Sequence, residues 1–306
     1  MDSAASPLTA YGWQRRRCCI AVGAACATSL ARSRTAEVSR IVVHNEPHLQ
    51  HSLALLRAAL KAGGMPVELD NAPQGNYRRS LYQIEHGHTH VDMATISQRR
   101  LQLFKAGKLR MVPIPLDRGL LGWRVNLLLR RDQDKLAGIR SAAQLRALTL
   151  GQNLGWPDIQ IYRHAGIPVK EIKKWSLGEF TEQMEAGFID LFPLGLEEAL
   201  SYFLPLFQQR YPQLTADPHL LVHYPWFRFV WVYGGAETEA LHAALVRGFD
   251  AIVASGEFMH IWDTHRSPPP LSAYANRTII RMENPFFGDA LLPARYRHLL
   301  LSPSST

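Results

Sequence analysis

"GWRVNLLLRRD", residues 122–132, is a long β-rich run, and its reading decides the architecture. Upstream of it, from Ser39 onward, short strand-like runs alternate with amphipathic helical segments; downstream the same alternation starts afresh. A strand at such a restart carries the chain from one module toward another. A second long run, "LLVHYPWFRFVWVYGG" (220–235), interrupted at Pro225, is placed to carry it back.

Working outward from 122–132, the upstream pattern gives a strand at "RIVVH" (40–44) and a helix at "LQHSLALLRAALKAGG" (49–64) ended by glycines. A strand "PVELD" (66–70), a helix over 76–87, a strand "VDMATIS" (91–97), a short helix "QRRLQLFKAG" and a strand "LRMVPIPL" (109–116) follow. Downstream come helix 141–148, strand "TLGQ", helix 157–166, strand "VKEIKKW", helix 177–187, strand "IDLFPLG" and helix "EEALSYFLPLFQQR". A helix from Glu237 to about Trp262 and a late strand "RTIIRMEN" (277–284) close the body. Alternation of this kind predicts an α/β fold with mostly parallel sheets. It divides into lobe 1 (39–123 plus 231–300) and lobe 2 (124–230), joined by two crossover strands, with a disordered tail over 301–306. A ligand belongs in the cleft between such lobes.

The first 31 residues stand outside this pattern. Arg15, Arg16 and Arg17 precede an uncharged run from Cys18 to Ala31, with small residues at Ser29 and Ala31. Basic region, short apolar run and small-residue exit read as a cleavable secretory signal, too short for an ordinary membrane span. The localisation expected is therefore periplasmic, with the general secretory and twin-arginine routes both open. All three cysteines (Cys18, Cys19 and Cys26) fall in this segment, so the mature chain has no disulfide or thiolate chemistry. Its loss lowers the formal net charge from +8 to +6. The remaining positive charge is scattered among runs such as "YRRS" and "EIKK", without a basic helix or zinc-finger spacing, which argues against nucleic-acid binding.

"LGQNLGWPD" (150–158) places Gln152, Asn153, Gly155 and Trp156 just before Pro157, a residue suited to a first helical position. A helix start presents unpaired N–H groups and a partial positive charge, so it can hold an anion. Asp158 in the first turn is stabilised by the same dipole. Trp156 has two readings, stacking on a ligand or packing into its lobe.

The order of these elements resembles a type 2 periplasmic solute-binding protein of the polar amino-acid branch (the bacterial extracellular solute-binding family 3). The resemblance runs over nearly the whole mature chain. It is carried by "VDMATISQRR", "GWRVNLLLRRD", "SAAQLRALTLGQNLG", "MEAGFIDLFPLG" and "LHAALVRGFDAIVASGEFMHIW", while "PLDRGLLGWRV", "NLGWPDIQIYRHAGIPV" and "LFPLGLEEAL" resemble a divergent transporter-like subgroup. It implies that Arg100, or Arg99 beside it, grips a ligand carboxylate, assisted by Thr95 and Ser97. It also implies that the turn at Leu154, Gly155 and Trp156 supplies N–H groups to the same carboxylate. The family's amino-group partner is an Asp five residues beyond Asp190; here that place is Gly195, leaving Glu197 or Glu198 as substitutes. The subgroup's Arg is replaced by Leu194.

Four further residues are candidates from position alone. Arg124 stands amid apolar residues of the crossing strand, Gln152 and Asn153 can donate amide hydrogens, and Glu46 ends the first strand with His44 and Asn45. Histidines at 86, 88 and 90, and at 44, 48 and 51, raise a metal reading, but Gly87 breaks the spacing and no carboxylate pattern completes a motif; no metal and no cofactor are expected. The aromatic alternation in "PWFRFVWVY" (225–233) reads as a sheet core rather than a sugar platform.

The function expected is a monomeric, non-catalytic solute-binding protein that closes two lobes over an amino acid or small carboxylate for an ABC-type permease or a membrane sensor. One alternative is a degenerate binding fold serving as a sensory or interaction domain. Another is a periplasmic dehydratase-like enzyme, for which Glu46 and His44 are the only close acid–base pair.

Overall fold

The computed structural model describes residues 40–301 apart from 47, 74, 175, 267, 269, 270 and 275, all within one unit, Thr35–Thr306. The expected secretory signal (1–31) and the tail beyond Leu301 lie outside the described residues.

The first lobe opens with β1 (Arg40–His44), α1 (Gln50–Ala62), β2 (Glu68–Asn71), α2 (Tyr77–Glu85), β3 (Val91–Thr95), α3 (Gln98–Lys105) and β4 (Leu109–Val112). Two of its helices start on side-chain caps: Asn76 accepts from Arg79 N, and Ser97 Oγ accepts from Arg100 N. β4 stops short of the expected 116 because Pro113 and Pro115 have no N–H for a ladder.

The second lobe contains β5 (Trp123–Leu129), α4 (Ala142–Leu145), β6 (Leu150–Asn153), α5 (Asp158–His164), β7 (Val169–Ile172), α6 (Leu177–Glu185) and β8 (Phe192–Gly195). A π-helical turn (Glu198–Phe203) leads into α7 (Leu204–Gln208), and β9 (Leu214–Ala216) and β10 (Leu220–His223) follow. Every residue of β5 is buried, which explains its unbroken apolar run. The chain then returns through β11 (Arg228–Tyr233), α8 (Glu239–Ala254) and α9 (Glu257–His265), and ends past β12 (Thr278–Arg281). The single helix expected over 237–262 is two, because Gly256 takes φ +82°, a left-handed conformation that breaks the helical ladder.

Two five-stranded sheets result. The first has the order β2-β1-β3-β11-β4, with β1 parallel to β2 and β3, and β11 antiparallel to β3 and β4. The second runs β12-β10-β5-β8, with β9 continuing the β10 side of β5. β6 and β7 form a parallel pair, joined to the second lobe through a bridge from Leu150 to Leu191. This is the two-lobed α/β architecture expected from sequence, but the expectation of mostly parallel sheets is corrected: among the described residues five of the nine strand pairings are antiparallel, because β5 and β11 run against their neighbours.

The lobe boundaries need correction. β5 lies wholly in the second sheet, where Trp123 pairs with His223, so the first crossing is the Pro-containing stretch 113–122 rather than a long strand. The second crossing is confined to 224–227, and residues 228–230 belong to the first sheet. β12, assigned above to lobe 1, pairs in parallel with β10 in the second sheet, from Leu220 opposite Thr278 to His223 opposite Arg281. The free edge of β10 accepts it. The final stretch then comes back to the first lobe: Arg295 donates to Asp250 of α8, and Leu301 N to Arg118 O at 2.9 Å. The chain therefore passes between the lobes four times, not twice.

α1 and α8 pack closely on the first lobe because small residues face each other. A Cβ at Gly248 would lie 1.7 Å from Ala59 O, and one at Gly63 2.1 Å from Ala244 O. Gly248→Ala gains helix propensity of about 1 kcal/mol but must push two backbones apart. The expected net effect is a stability loss of about 2 kcal/mol or more, read from the denaturant midpoint.

Candidate functional site

Strands of both lobes point their C-terminal ends at a common seam. From the first lobe come His44, Asn45, Glu46 and His48 after β1, Thr95 and Ser97 after β3, and Arg228 at the start of β11, opposite Thr95. From the second come the turn 154–157 after β6 and Gly195, Glu197 and Glu198 after β8.

Arg100 is fully buried, and its guanidinium donates to Asp92, one strand-turn away on β3. His44 Nδ1 donates to the other Asp92 oxygen at 3.1 Å. Burial opposes ionisation of Asp92, but Arg100 and His44 overcome it and hold the carboxyl below its ordinary range. Burial alone would make His44 less basic; Asp92 reverses this and leaves its pKa raised. Ser97 is the cap of α3 and accepts a 2.6 Å hydrogen bond from Tyr77, whose ring lies 5.0 Å from the Arg100 guanidinium. Arg100 is thus anchored by an internal carboxylate. Its Nε and Nη1 remain buried without a hydrogen-bond partner. Arg99 is at the surface, paired with Glu85 at 2.6 Å.

Arg124 plays the matching part in the second lobe. It donates to Asp158 at 3.0 Å and to the carbonyls of Leu121 and Pro193 at 3.2 Å each, between the rings of Tyr224 and Trp226. Burial pushes the Asp158 carboxyl up to about 6 against the pull of Arg124. Gln152 and Asn153 donate to the carbonyls of Pro193 and Ile172, at 2.9 Å each, so both amides tie β6 to its neighbours instead of facing a ligand. Trp156, partly buried, packs on Phe192 with ring centroids 6.3 Å apart, against the lobe's apolar core. Gly155 turns at the lip itself: a Cβ there would lie 3.2 Å from Nε of Arg78 on α2, across the seam.

Between these two buried pairs the seam is filled with charge. Arg228, 6 % exposed, donates to Met93 O at 3.2 Å and lies 3.8 Å from Glu46 and 3.5 Å from Glu198. Glu46, 45 % exposed, is also 3.5 Å from His48, which sits 4.0 Å from Glu198. Glu197 pairs with Arg266 at the end of α9, and Arg266 donates to His51 at 3.4 Å. Burial would raise the Glu198 carboxyl, but His48, Arg228 and Arg124 bring it down to about 2. Asp117 accepts from Gly119 N with one oxygen, while the other is buried without a partner. Burial lifts its carboxyl to about 6 despite Arg228.

Asp117, Gly195, Glu197, Glu198, Arg228 and Arg266 enclose a void of about 10 Å³, room for about one water molecule. Arg228, Arg266 and Asp117 were missed from sequence. Arg228 had a readable signal, a lone charge in the apolar run "PWFRFVWVY"; Arg266, at a polar helix end, had none. The proposed acid–base pair does not form, since His44 turns to Asp92 and Glu46 to His48 and Arg228. Of the histidines, His90 accepts from Val42 N while His86 and His88 stack beside Tyr82, and among the described residues no cluster of three or more ligating side chains forms. No helix among them is long and apolar enough to cross a membrane.

No protein-family model and no curated protein matches the sequence. Solved structures do match. One is an ancestral arginine-binding protein bound to arginine, 13% identical, covering 75% of this chain and 99% of its own, with a TM-score of 0.52. An ancestral arginine-binding protein bound to glutamine is 15% identical, covers 74% of this chain and 97% of its own, and gives 0.51. An amino acid ABC transporter substrate-binding protein, AbpA from Streptococcus pneumoniae, bound to L-arginine, is 14% identical, covers 74% of this chain and 94% of its own, and gives 0.53. The likeness establishes that the chain has the two-lobed fold of amino-acid-binding proteins; each of these neighbours is a binding protein.

Two outcomes follow from the buried charges. Arg100→Ala strands Asp92 in the interior and should cost about 3–5 kcal/mol of stability in chemical denaturation. Asp117 holds its proton in the folded state to higher pH than in the unfolded chain, so its contribution to stability falls as pH rises from about 4 to about 6. Wild type should therefore lose stability relative to Asp117→Asn over that range, by up to ~1.4 kcal/mol per pH unit.

Proposed function

We propose that the chain is an exported, non-catalytic solute-binding protein whose lobes close over a small anionic or zwitterionic solute at the seam. The observation that carries this reading is an excess of buried donors on both lips. Nε and Nη1 of Arg100, and Nε of Arg228, Arg266 and Arg124, are all buried without partners. Guanidinium groups held in this way are built to receive carboxylates through charge-assisted, often bidentate contacts. Thr95, Ser97 and Glu46 on the first lobe and the backbone of the Gly155 turn on the second complete the walls. The fold supports the reading, since the neighbours bind arginine and glutamine. A permease or a membrane sensor would read the closed form.

A second reading, a sensory or interaction domain whose solute site has been filled by its own side chains, is favoured by the internal partners of Arg100 and Arg124 and by the small void. Titration calorimetry of the whole exported chain against amino acids, small dicarboxylates and short peptides separates the two. Solute binding predicts heat with one class, and Arg228→Ala should weaken it by about 30-fold or more, the equivalent of ~2 kcal/mol. Silence across all three classes would overturn the first reading in favour of the second.

A further inference from the structure

Glu197 and Glu198 follow β8 at the lip of the second lobe, and the π-helical turn begins at the second of them. Every basic group that receives them in an ion pair belongs to the first lobe: Arg266 for Glu197, and Arg228 and His48 for Glu198. Tyr202, from the same turn, stacks on His48 with ring centroids 5.1 Å apart and planes 21° apart, and Phe203 meets the same ring edge-on at 5.8 Å. The side chains of these five charged residues are between 6 and 16 % exposed, so the pairs are largely shielded from water. Parting the lobes would strip partners from two carboxylates and two guanidinium groups together. Water would have to replace each of these partners as the lobes part.

Two adjacent carboxylates on a short turn present the chemistry of a small dicarboxylate. They reach the first-lobe wall across the seam, where an entering solute would have to sit, and leave a void of only about 10 Å³. We propose that Glu197 and Glu198 are a tethered occupant of the first-lobe anion wall: they latch the lobes shut without solute, and the solute that enters is a small dicarboxylate that displaces them from Arg228, Arg266 and His48. The latch stands on the geometry alone; the dicarboxylate rests on the solute-binding reading above.

The test uses the whole chain with both glutamates neutralised, Glu197→Gln with Glu198→Gln. In small-angle scattering without added solute, wild type should match the structure described above, with the seam closed, and the double variant should show a larger radius of gyration. Calorimetry with succinate and glutarate should then show the variant binding about tenfold more tightly than wild type, because the internal competitor is gone. An unchanged radius in a variant of native circular dichroism overturns the latch. Opening with amino acids but not dicarboxylates bound overturns the assigned ligand class, and opening with no solute bound by either protein overturns the solute-binding reading while the latch stands. If the double variant does not fold, a charge swap decides: Glu197→Arg should open the lobes, and adding Arg266→Glu should close them again. Failure of the second change to restore the closed radius overturns the latch.

Discussion

Arg228 is the constraint around which the seam is arranged. It is the first residue of a strand inserted antiparallel between β3 and β4, at the point where the chain re-enters the first lobe. A guanidinium in that position cannot retreat to solvent without unravelling the strand, and burying it alone costs several kcal/mol. The groups around it answer that cost: the Met93 carbonyl within its own sheet, Glu46 from the end of β1, and Glu198 from the other lobe. Because one of the three comes from across the seam, the electrostatic balance of Arg228 depends on how the lobes are placed. Folding of the first lobe and closure of the two lobes are thereby coupled through a single side chain.

Each lobe also neutralises a buried arginine of its own, and the two pairs differ in a way that matters. In the first lobe Arg100 and His44 together hold the Asp92 carboxyl below its ordinary range. In the second, Asp158 has Arg124 and its own helix start, yet burial keeps its carboxyl near 6. Asp158 is still mostly ionised at neutral pH but loses its charge on mild acidification, and Gly195 leaves the path from Arg124 toward Glu198 open: a Cβ there would lie 3.5 Å from Arg124 and 3.1 Å from Glu198. The strand ends on a glycine, and the nearest acids, Glu197 and Glu198, stand two and three residues further on, at the start of a π-helical turn that reaches across the seam.

Most of the secondary structure was legible because its signals are local. Apolar alternation marked the strands, and the helix starts fall on side-chain caps, Asn76, Ser97, Ser141 and Ser176. What failed was long-range. β12 pairs with β10 across 58 positions of chain, and no periodicity in "RTIIRMEN" tells which sheet edge it joins. The site was half legible for a related reason. Arg100 was picked out by its place after "VDMATIS", but the same segment contains its partner, since Asp92 alternates with buried Val91 and Met93 in a strand with no exposed face. A carboxylate in such a strand is a sign that an arginine nearby is already claimed. Gln152 and Asn153 misled because an amide at a strand end can serve either a ligand or the neighbouring backbone, and only the fold shows the Pro193 and Ile172 carbonyls within reach.

The four passes of the chain bear on how such a molecule opens. With two crossings, lobes rotate about a pair of strands; here residues 113–122, 224–227 and 282–288, together with the connection from α9 to β12, must accommodate the same rotation. Pro113, Pro115, Pro225 and Pro285 lie in three of these segments, and each fixes one backbone angle. Beyond the last crossing, the final stretch of chain is pinned to the first one, where Arg118 donates to Leu299 O at 2.8 Å while its guanidinium lies 4.8 Å from the Trp262 ring. A hinge so constrained resists wide opening, and in such a hinge a few ion pairs across the seam weigh more heavily on the balance between open and closed than they would in a molecule joined by two strands alone.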